Sequence, residues 1–426
     1  MNEAIDQIAD RLFVAQRLLH EKPIFEIIGA IDQVSKIFLD PSHPLCQEAV
    51  AHLSRHFSME MAKFAIADCF QNLTAPKLKE LLEEEFYDPL MLDTFRPRRS
   101  GVGKTRAFGP RLITHILPGN IPSIGVMSLV TAILVKSASI AKISAQNGDL
   151  TPFFIEGLHT ISPLLAKSIA IVSWEQSNQK EMSAAFSQSD KVILYGSDET
   201  VDAIAKLVSP LTKMIVHGSK VSLGLIAKEC VSREIAERAA MDVALYDQRG
   251  CLSPHLYYVE EGGGNAPILF AQYLSEALQK MPLPKGPISN DSASAIQQLR
   301  GTMQLMGGMV FASSNTVDYT VLYDPDPAFA FSPLSRTIWI KPIKTFSEIG
   351  NHLSAIGNKL QAVGIALPES SCGKRESILE MLGLMGACRI CPIGEMQKPP
   401  LTWHHDGRFR ILDLLQFVDL EGLRTA

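Results

Sequence analysis

"RLITHILPGNIPSIGVMSLVTAILVKSASIAKIS", residues Arg111 to Ser144, contains the pattern that decides the fold. "LITHIL" (Leu112–Leu117) is a short apolar run that predicts a buried strand, and the turn residues Pro118-Gly119-Asn120 end it. "IPSIGVMSLVTAILVKS" (Ile121–Ser137) predicts a buried helix started by a proline. "SIAKIS" (Ser139–Ser144) predicts the next strand. A strand, a helix and a strand at this spacing indicate a parallel pair.

The same alternation continues along the chain. Three further apolar runs, separated by helical segments, predict strands of one helix-covered parallel sheet: "SIAIVSW" (Ser168–Trp174), "KVILYG" (Lys191–Gly196) and "KMIVHG" (Lys213–Gly218). Such sheets bind ligands at the carboxyl ends of their strands. Before the sheet, the spacing of apolar residues from Asn2 to about Phe95 predicts helices.

A second unit begins near Val221. It has a long predicted helix from Val231 to Gln248, then Cys251, then the strand "HLYYVE". A Pro/Gly-rich loop (Met281–Asp291) leads into another helix, and "DPDPAFAFSP" (Asp324–Pro333) is a second long loop. The predicted fold class is therefore α/β.

The charge balance argues against a nucleic-acid partner. The chain has 426 residues and a formal net charge of −5, and a length of this order predicts two or three domains. Basic residues cluster only in "RPRRSGVGKTR" (Arg96–Arg106), which lacks aromatic interleaving. We interpret that run as a solvated loop, with a phosphate- or CoA-facing patch as the alternative.

The cysteines and the N-terminus indicate a reducing compartment. The seven cysteines are irregularly spaced, and the first residues carry acids with no apolar signal core, so free thiols in a cytoplasmic protein are expected. The uncharged stretch Leu112–Val135 is long enough to cross a membrane, but "LPGNIP" would break a helix there. No membrane span is predicted.

Two motifs resemble sites that their context does not support. "GVGKT" (Gly101–Thr105) ends like a phosphate loop, but Arg98 stands where the pattern needs its first glycine. "CRIC" (Cys388–Cys391) with His404 and His405 resembles half a zinc finger, but adjacent histidines normally point apart. We predict no metal site.

"DQRGCLSPH" (Asp247–His255) contains the candidate nucleophile. Gly250 allows close backbone approach to a ligand, and Ser253-Pro254 closes a turn that fixes the direction of the Cys251 thiol. A thiol is nucleophilic when its thiolate is accessible and stabilised, whereas a buried structural cysteine is the alternative. Asn120, at the end of a strand, is a candidate oxyanion donor or an ordinary turn residue.

The ordered set of motifs resembles the aldehyde dehydrogenase superfamily, and within it the LuxC-type fatty acyl-CoA reductases. The resemblance covers about residues 105 to 422 and rests on these segments: "GNIP", "IAKIS", "YGSDETV", "HGSKVSLGLI", "DQRGCLSPH", "SPLSRTIWI" and "RICPIGEMQKPPLTWHHDGR". It implies an aldehyde-dehydrogenase-like fold. Its parts would be a helical region (1–105) packing on a Rossmann-type cofactor domain (106–219), an α/β catalytic domain (220–394) and a C-terminal oligomerisation tail (395–426).

The resemblance also implies roles for single residues. Cys251 would be the nucleophile, and Asn120 would donate to the oxyanion together with the Cys251 backbone N–H. Lys142 and Ser144 would contact the cofactor, with Lys142 at the adenosine ribose; a buried salt-bridge or surface role is the alternative for Lys142. The family's turn beside the nicotinamide cofactor matches Gly196 and Ser197.

Two departures from the superfamily pattern affect the expected reaction. His217 stands in the segment where hydrolytic members carry a glutamate base, so water is poorly activated and thioester exchange is favoured. His217 itself is either a proton donor or a structural residue. "FSPLSR" replaces the segment whose glutamate usually holds the nicotinamide ribose.

We therefore expect NADPH-dependent reduction, with NADH as the alternative cofactor, of an acyl-CoA or another acyl thioester to an aldehyde. The expected protein is a homo-oligomer that an acyl-supplying partner enzyme could serve. The alternatives are a cysteine acyltransferase or thioesterase that uses no nicotinamide, and a non-catalytic scaffold.

Overall fold

The computed structural model describes residues 4–143, 148–174, 178–262, 265–368 and 372–422. The chain forms two compact units. The first comprises Met1–Leu53, Lys63–Gly218 and Pro400–Ala426, and the second comprises Ser54–Ala62 and Ser219–Pro399.

The described residues contain helices and strands in alternation after a helical start. The helices are α1 (Ile5–His20), α2 (Ile24–Leu39), α3 (Pro44–Leu53), α4 (Met59–Gln71), α5 (Ala75–Glu85), α6 (Ile124–Leu134), α7 (Thr151–Ile161), α8 (Pro163–Lys167), α9 (Gln179–Gln188), α10 (Asp198–Ala205), α11 (Arg233–Ala244), α12 (Ala266–Gln279), α13 (Asn290–Leu305), α14 (Ile349–His352) and α15 (Cys372–Leu384). The strands are β1 (Arg96–Pro97), β2 (Lys104–Phe108), β3 (Leu112–Ile116), β4 (Ala138–Lys142), β5 (Ile169–Val172), β6 (Lys191–Tyr195), β7 (Lys213–His217), β8 (Val221–Ile226), β9 (Pro254–Glu260), β10 (Met309–Ala312), β11 (Thr320–Tyr323), β12 (Thr337–Ile343), β13 (Leu360–Ala366), β14 (Arg389–Pro392) and β15 (Gln416–Leu420).

The first unit is built on a five-stranded parallel sheet. Its strand order is β5-β4-β3-β6-β7, and every residue of β3 is buried. The predicted strands are confirmed. The predicted helix after β3 begins at Ile124, with Ser123 as its N-cap, and not at the proline; the Pro122 carbonyl accepts from the Leu150 N–H (3.1 Å). The α/β prediction is therefore correct for this unit.

The second unit is built on a seven-stranded sheet. Its strand order is β10-β11-β12-β9-β8-β13-β14, with β10 antiparallel to β11 and the other pairs parallel. The predicted helix to Gln248 is wrong in its last turn, since α11 ends at Ala244. Tyr246, Asp247 and Gln248 have φ values of 53°, 51° and 64°, which a right-handed helix excludes.

A small antiparallel sheet joins both ends of the first unit's sequence. Its order is β1-β2-β15, and Val418 of β15 pairs with Arg106 of β2. The basic run Arg96–Arg106 forms the β1–β2 hairpin, with Gly101 and Gly103 at φ values of 75° and 76°. This hairpin is not the strand-to-helix turn of a phosphate loop.

The uncharged stretch Leu112–Val135 forms a strand, a turn and a helix, as predicted. A spanning helix needs about 20 apolar residues, and α6 has 11. Within the described ranges, no helix is both long and apolar enough to cross a bilayer.

Candidate active site

Cys251 lies half-buried in a turn at the amino end of β9. The Ser253 N–H donates to the Gly250 carbonyl (3.0 Å), which closes the turn around the thiol. The Ser222 hydroxyl donates to the Cys251 carbonyl (2.8 Å) and accepts from the Ala362 N–H (3.2 Å). The backbone of Cys251 is therefore fixed to strands β8 and β13, and the thiol forms no disulfide.

Gln248 closes the same loop from its other end. Its fully buried side-chain Nε2 donates to the carbonyls of Pro254 and Thr337, both at 2.8 Å. Its Oε1 accepts from the Thr337 N–H, also at 2.8 Å. Both N–H groups and the oxygen of the amide are therefore hydrogen-bonded to the backbone. These bonds connect the loop around Cys251 to the start of β12.

An ion pair buried in the second unit connects two left-handed stretches of backbone. One stretch is Tyr246–Gln248, and the other is Leu334–Arg336, with φ values of 66°, 53° and 59°. The Arg336 Nη2 and Nε donate to the Asp247 carboxylate at 2.8 and 2.9 Å, and the two side chains are 4% and 2% exposed. Non-glycine residues with left-handed backbone conformations carry strain that surrounding contacts must compensate.

His255, four residues after Cys251, is a neutral histidine. Burial lowers its pKa to about 4, and its Nδ1 accepts from the Ser332 N–H (3.1 Å). Its ring contacts Phe331 edge-on, with centroids 5.7 Å apart. The ring is therefore an uncharged imidazole at neutral pH, with Nε2 as its donor nitrogen.

The first unit places three predicted residues at one edge of its sheet. Asn120 is exposed beyond the end of β3, Lys142 ends β4, and Gly196 follows β6. These strands are parallel neighbours, so their carboxyl ends meet where such sheets bind ligands. Ser144, the other predicted cofactor contact near Lys142, lies outside the described residues.

Lys142 lines a cavity of about 310 Å³ in the first unit. Trp174, Glu199 and Thr200 line the same cavity, together with apolar residues of α9 and α10. Burial lowers the pKa of the half-buried Lys142. The cavity thus offers an indole surface, an ammonium group, a carboxylate and a hydroxyl to a ligand.

The predicted Gly-Ser turn leads directly into α10, which borders this cavity. Ser197 is the N-cap of α10, and its hydroxyl accepts from the Thr200 N–H (3.4 Å). A Cβ at Gly196 would lie 3.0 Å from the Thr200 Cγ2, closer than side chains normally approach. Glycine therefore permits the tight entry into α10, and the turn positions Glu199 and Thr200 at the cavity.

Comparison with known proteins decides the family. A family model described as acyl-CoA reductase (LuxC) matches residues 19–417. The chain belongs to the acyl-CoA reductase (LuxC) family. The long-chain acyl-protein thioester reductase of Aliivibrio fischeri is 29% identical over 267 residues, 61% of this chain and 54% of that protein, so this match spans about half of the relative's length. The long-chain acyl-protein thioester reductase 2 of Photobacterium leiognathi is 25% identical over 377 residues, 87% of this chain and 76% of that protein.

The fold of this LuxC-family chain is that of the aldehyde dehydrogenases. Aldehyde dehydrogenase 21 from Physcomitrella patens, solved with its reaction product succinate, superposes with a TM-score of 0.75 at 14% identity. The match covers 98% of this chain and 89% of that chain. The resemblance inferred from the motifs is therefore confirmed for the family and for the fold.

His217 of the LuxC-family chain is paired and stacked within the first unit. Its Nδ1 lies 2.6 Å from the Asp406 carboxylate. Its ring stacks between Tyr195 and His405, with both centroid distances at 4.4 Å. Asp406 has a φ of 55°. These contacts give His217 a fixed orientation, which the sequence did not predict.

Donor atoms of His217, His405 and Asp406 lie within 4.8 Å of one another, which makes them the candidate metal ligands of the described residues. The two imidazole rings are stacked at an interplanar angle of 24°. Ring nitrogens bind metals in the plane of the ring, and zinc needs bonds of about 2.0–2.2 Å. Because stacked rings face each other and their in-plane nitrogens do not converge, the arrangement favours ring packing over metal binding.

Sequence reasoning about the LuxC-family site identified its backbone features and missed its long-range partners. It did not identify Gln248 and Arg336, whose bonds to Thr337 and Asp247 form because β9 and β12 are neighbours in the sheet. It also missed Trp174 and Glu199, although the rule that ligands bind at carboxyl ends of parallel strands points to Trp174 after β5. Cys251 belongs to the second unit, and the other predicted residues belong to the first.

Proposed function

We propose that the protein reduces a long-chain acyl-CoA to the aldehyde with NADPH, through a thioester formed on Cys251. The observation that carries the proposal is the fixed turn around this half-buried thiol, held by Ser222 on one side and by Gln248 on the other. A nucleophile held in one geometry saves the entropy of orienting it for attack. The names of the LuxC-family relatives, acyl-protein thioester reductases, agree with a thioester substrate.

The proposed reaction has two stages, which are acylation of Cys251 and reduction of the acyl group to the aldehyde. The Cys251 thiolate attacks the thioester carbonyl, and the tetrahedral intermediate expels the CoA thiolate, which takes a proton from solvent. The Cys251 backbone N–H and the Asn120 amide are the proposed oxyanion donors. A nicotinamide dinucleotide held by Lys142 and the Gly196-Ser197 turn would supply the hydride for the acyl group on Cys251. Hydride addition would leave a thiohemiacetal oxyanion on Cys251, which collapses to the free aldehyde and re-forms the Cys251 thiolate.

Three features of the first unit fit a nicotinamide dinucleotide. The cavity beside Lys142 offers an aromatic surface in Trp174 for the adenine, and an ammonium group for ribose oxygens or a 2′-phosphate. Gly196 and Ser197 form the turn that leads into α10 at the rim of this cavity. We propose NADPH because Lys142 can pair with the 2′-phosphate. Glu199 would instead suit the ribose hydroxyls of NADH.

The wider setting of the reaction is also part of the proposal. We propose a cytoplasmic homo-oligomer that the C-terminal tail helps to form, served by an enzyme that supplies the acyl group. The support for the tail is that β15 is an edge strand on which Phe417 and Val418 are 44% and 40% exposed. Light scattering on the full chain and on Val418→Lys tests it: the variant should have the lower mass, and an unchanged mass would contradict this contact.

The test of the reaction combines two readouts on three proteins. Wild type, Cys251→Ala and Cys230→Ala are incubated with long-chain acyl-CoA and NADPH, while absorbance reports NADPH and hydrazone capture reports aldehyde. Cys230 is the matched control because it is also a half-buried free thiol of the second unit. We expect equal amounts of NADP⁺ and aldehyde from wild type and Cys230→Ala, and neither from Cys251→Ala. Acyl transfer or CoA release without NADPH oxidation would refute the reductase, and inertness over all chain lengths would indicate a scaffold.

A further inference from the structure

The loop that carries Cys251, residues 248–254, is held by contacts that the proposed reaction does not itself require. We propose that Gln248 and the Asp247–Arg336 pair are positioning residues that set the reactivity of Cys251. This inference rests on the proposed role of Cys251 as nucleophile. It assigns a function to the "FSPLSR" segment that replaces the superfamily's usual glutamate segment.

The Gln248 side chain closes the loop. Its side chain spans the ends of the loop, since the residue begins the loop and its Nε2 donates to the carbonyl of Pro254 at the end of the loop. The same amide makes two bonds to Thr337, so the closed loop is also fixed to β12. A buried amide with all three backbone bonds made has one allowed orientation. Loss of this amide opens the loop at the point where it meets β9.

The two left-handed stretches are bonded to each other beside the loop. Asp247 bonds to Arg336, and Gln248 bonds to Thr337, the residue after Arg336. Two consecutive residues of the first stretch are therefore bonded to two consecutive residues at the end of the second. Each stretch holds three non-glycine residues at positive φ, a conformation that costs energy unless contacts compensate it. The ion pair is the contact that joins them. Without it, the backbone entering the loop relaxes toward ordinary φ values, and the Cys251 sulfur moves.

The Asp247–Arg336 pair also binds the segment between α12 and α13. Arg336 donates to the carbonyls of Leu283 and Pro284 at 2.8 and 3.1 Å. Asp247 accepts from the Gly286 N–H at 3.1 Å. Three chain segments far apart in sequence therefore converge on one ion pair immediately before the loop. Because Asp247 immediately precedes Gln248, these bonds fix the backbone where the loop begins.

The experiment measures Cys251 reactivity in the full-length protein. Gln248→Leu keeps the side-chain size and removes the amide, and Asp247→Asn keeps the shape and removes the charge. Leu274→Ala is the control, because Leu274 is fully buried in α12 of the same unit and is a partner in none of the hydrogen bonds described above. Iodoacetamide labelling is followed by peptide mass spectrometry at Cys251, with Cys230 as internal reference, well below the melting temperature of every variant.

We expect Gln248→Leu and Asp247→Asn to slow Cys251 alkylation and to lower kcat by roughly 10- to 100-fold, as for a nucleophile displaced by about 1 Å. Labelling of Cys230 and the KM for NADPH should stay unchanged. Leu274→Ala should lower the melting temperature and leave Cys251 labelling unchanged. If either folded loop variant labels within twofold of wild type, the positioning role is wrong. If Gln248→Leu does not fold, the result with Asp247→Asn decides.

The same data separate this inference from the proposed function. Alkylation needs neither acyl-CoA nor NADPH. Fast wild-type labelling that depends on Gln248, without acylation by acyl-CoA, would retain the positioning role and overturn the reductase. Acyl-CoA reduction that is unchanged in both loop variants would retain the reductase and overturn the positioning role.

Discussion

Replacing Asp247 by asparagine should strongly destabilise the second unit. The change removes the charge opposite Arg336, whose side chain is 4% exposed, and leaves that guanidinium with the Leu283 and Pro284 carbonyls. Breaking a buried pair in this way costs about 3–5 kcal/mol, because the remaining charge is desolvated without its partner. At roughly 2–4 °C per kcal/mol for a unit of this size, the melting temperature should fall by about 6–20 °C.

The assay is urea unfolding of the full chain, followed by circular dichroism, for Asp247→Asn, Arg336→Gln and the double variant. The double variant removes both charges, so it should be more stable than the sum of the two single losses predicts, with a coupling of about 1–3 kcal/mol. If either single variant lowers the free energy of unfolding by less than about 1 kcal/mol, the pair contributes no more than an exposed salt bridge does. Strict additivity in the double variant would also refute the reasoning.

Three further predictions concern burial and charge elsewhere in the chain. His115 is fully buried between the hydroxyls of Ser128 and Ser139, and burial lowers its pKa to about 3. The free energy of unfolding should therefore be highest above pH 6.5 and fall by up to about 4–5 kcal/mol as the pH drops toward 3, because the imidazole of the unfolded chain takes up a proton that the buried ring does not. Urea titrations at several pH values should show this loss in wild type and not in His115→Gln. Burial raises the Asp242 pKa to about 7, so wild type should lose up to about 4 kcal/mol as the pH rises from about 4 to 7, a slope that Asp242→Asn should lack. Lys142→Met should raise the KM for NADPH about tenfold with little change in kcat, and an unchanged KM would contradict its cofactor role.

The fold could be predicted from the sequence because its strands are short, apolar and regularly separated. Leu112–Leu117 and Lys191–Gly196 are runs of this kind, and each contains a strand of the parallel sheet. The error at the end of α11 has a clear cause. Polar and apolar residues continue at helical spacing to Gln248, but tertiary bonds to Arg336 and Thr337 hold the last turn in a left-handed conformation.

The site was predictable only where its chemistry is local in sequence. Cys251 stands in a glycine- and proline-bounded turn, and Gly196 with Ser197 forms a helix-entry turn, so short motifs describe both. The Asp247–Arg336 pair joins residues 89 positions apart, and His217 meets Asp406 across 189 positions. No periodicity or spacing rule connects such residues. They become neighbours only through the order of the strands.

The first unit is assembled from both ends of the sequence, which has a consequence for synthesis on the ribosome. Lys191 and Lys213 each donate to the carbonyl of Asp413, and the N–H groups of Arg410 and Ile411 bind Glu85. The five-stranded sheet is complete in sequence at residue 218, whereas these partners are made only after residue 400. At about 5–20 residues per second, the nascent sheet waits roughly 10–40 s for them. During that interval the second unit is translated, and the ammonium groups of Lys191 and Lys213 stay hydrated until Asp413 is made.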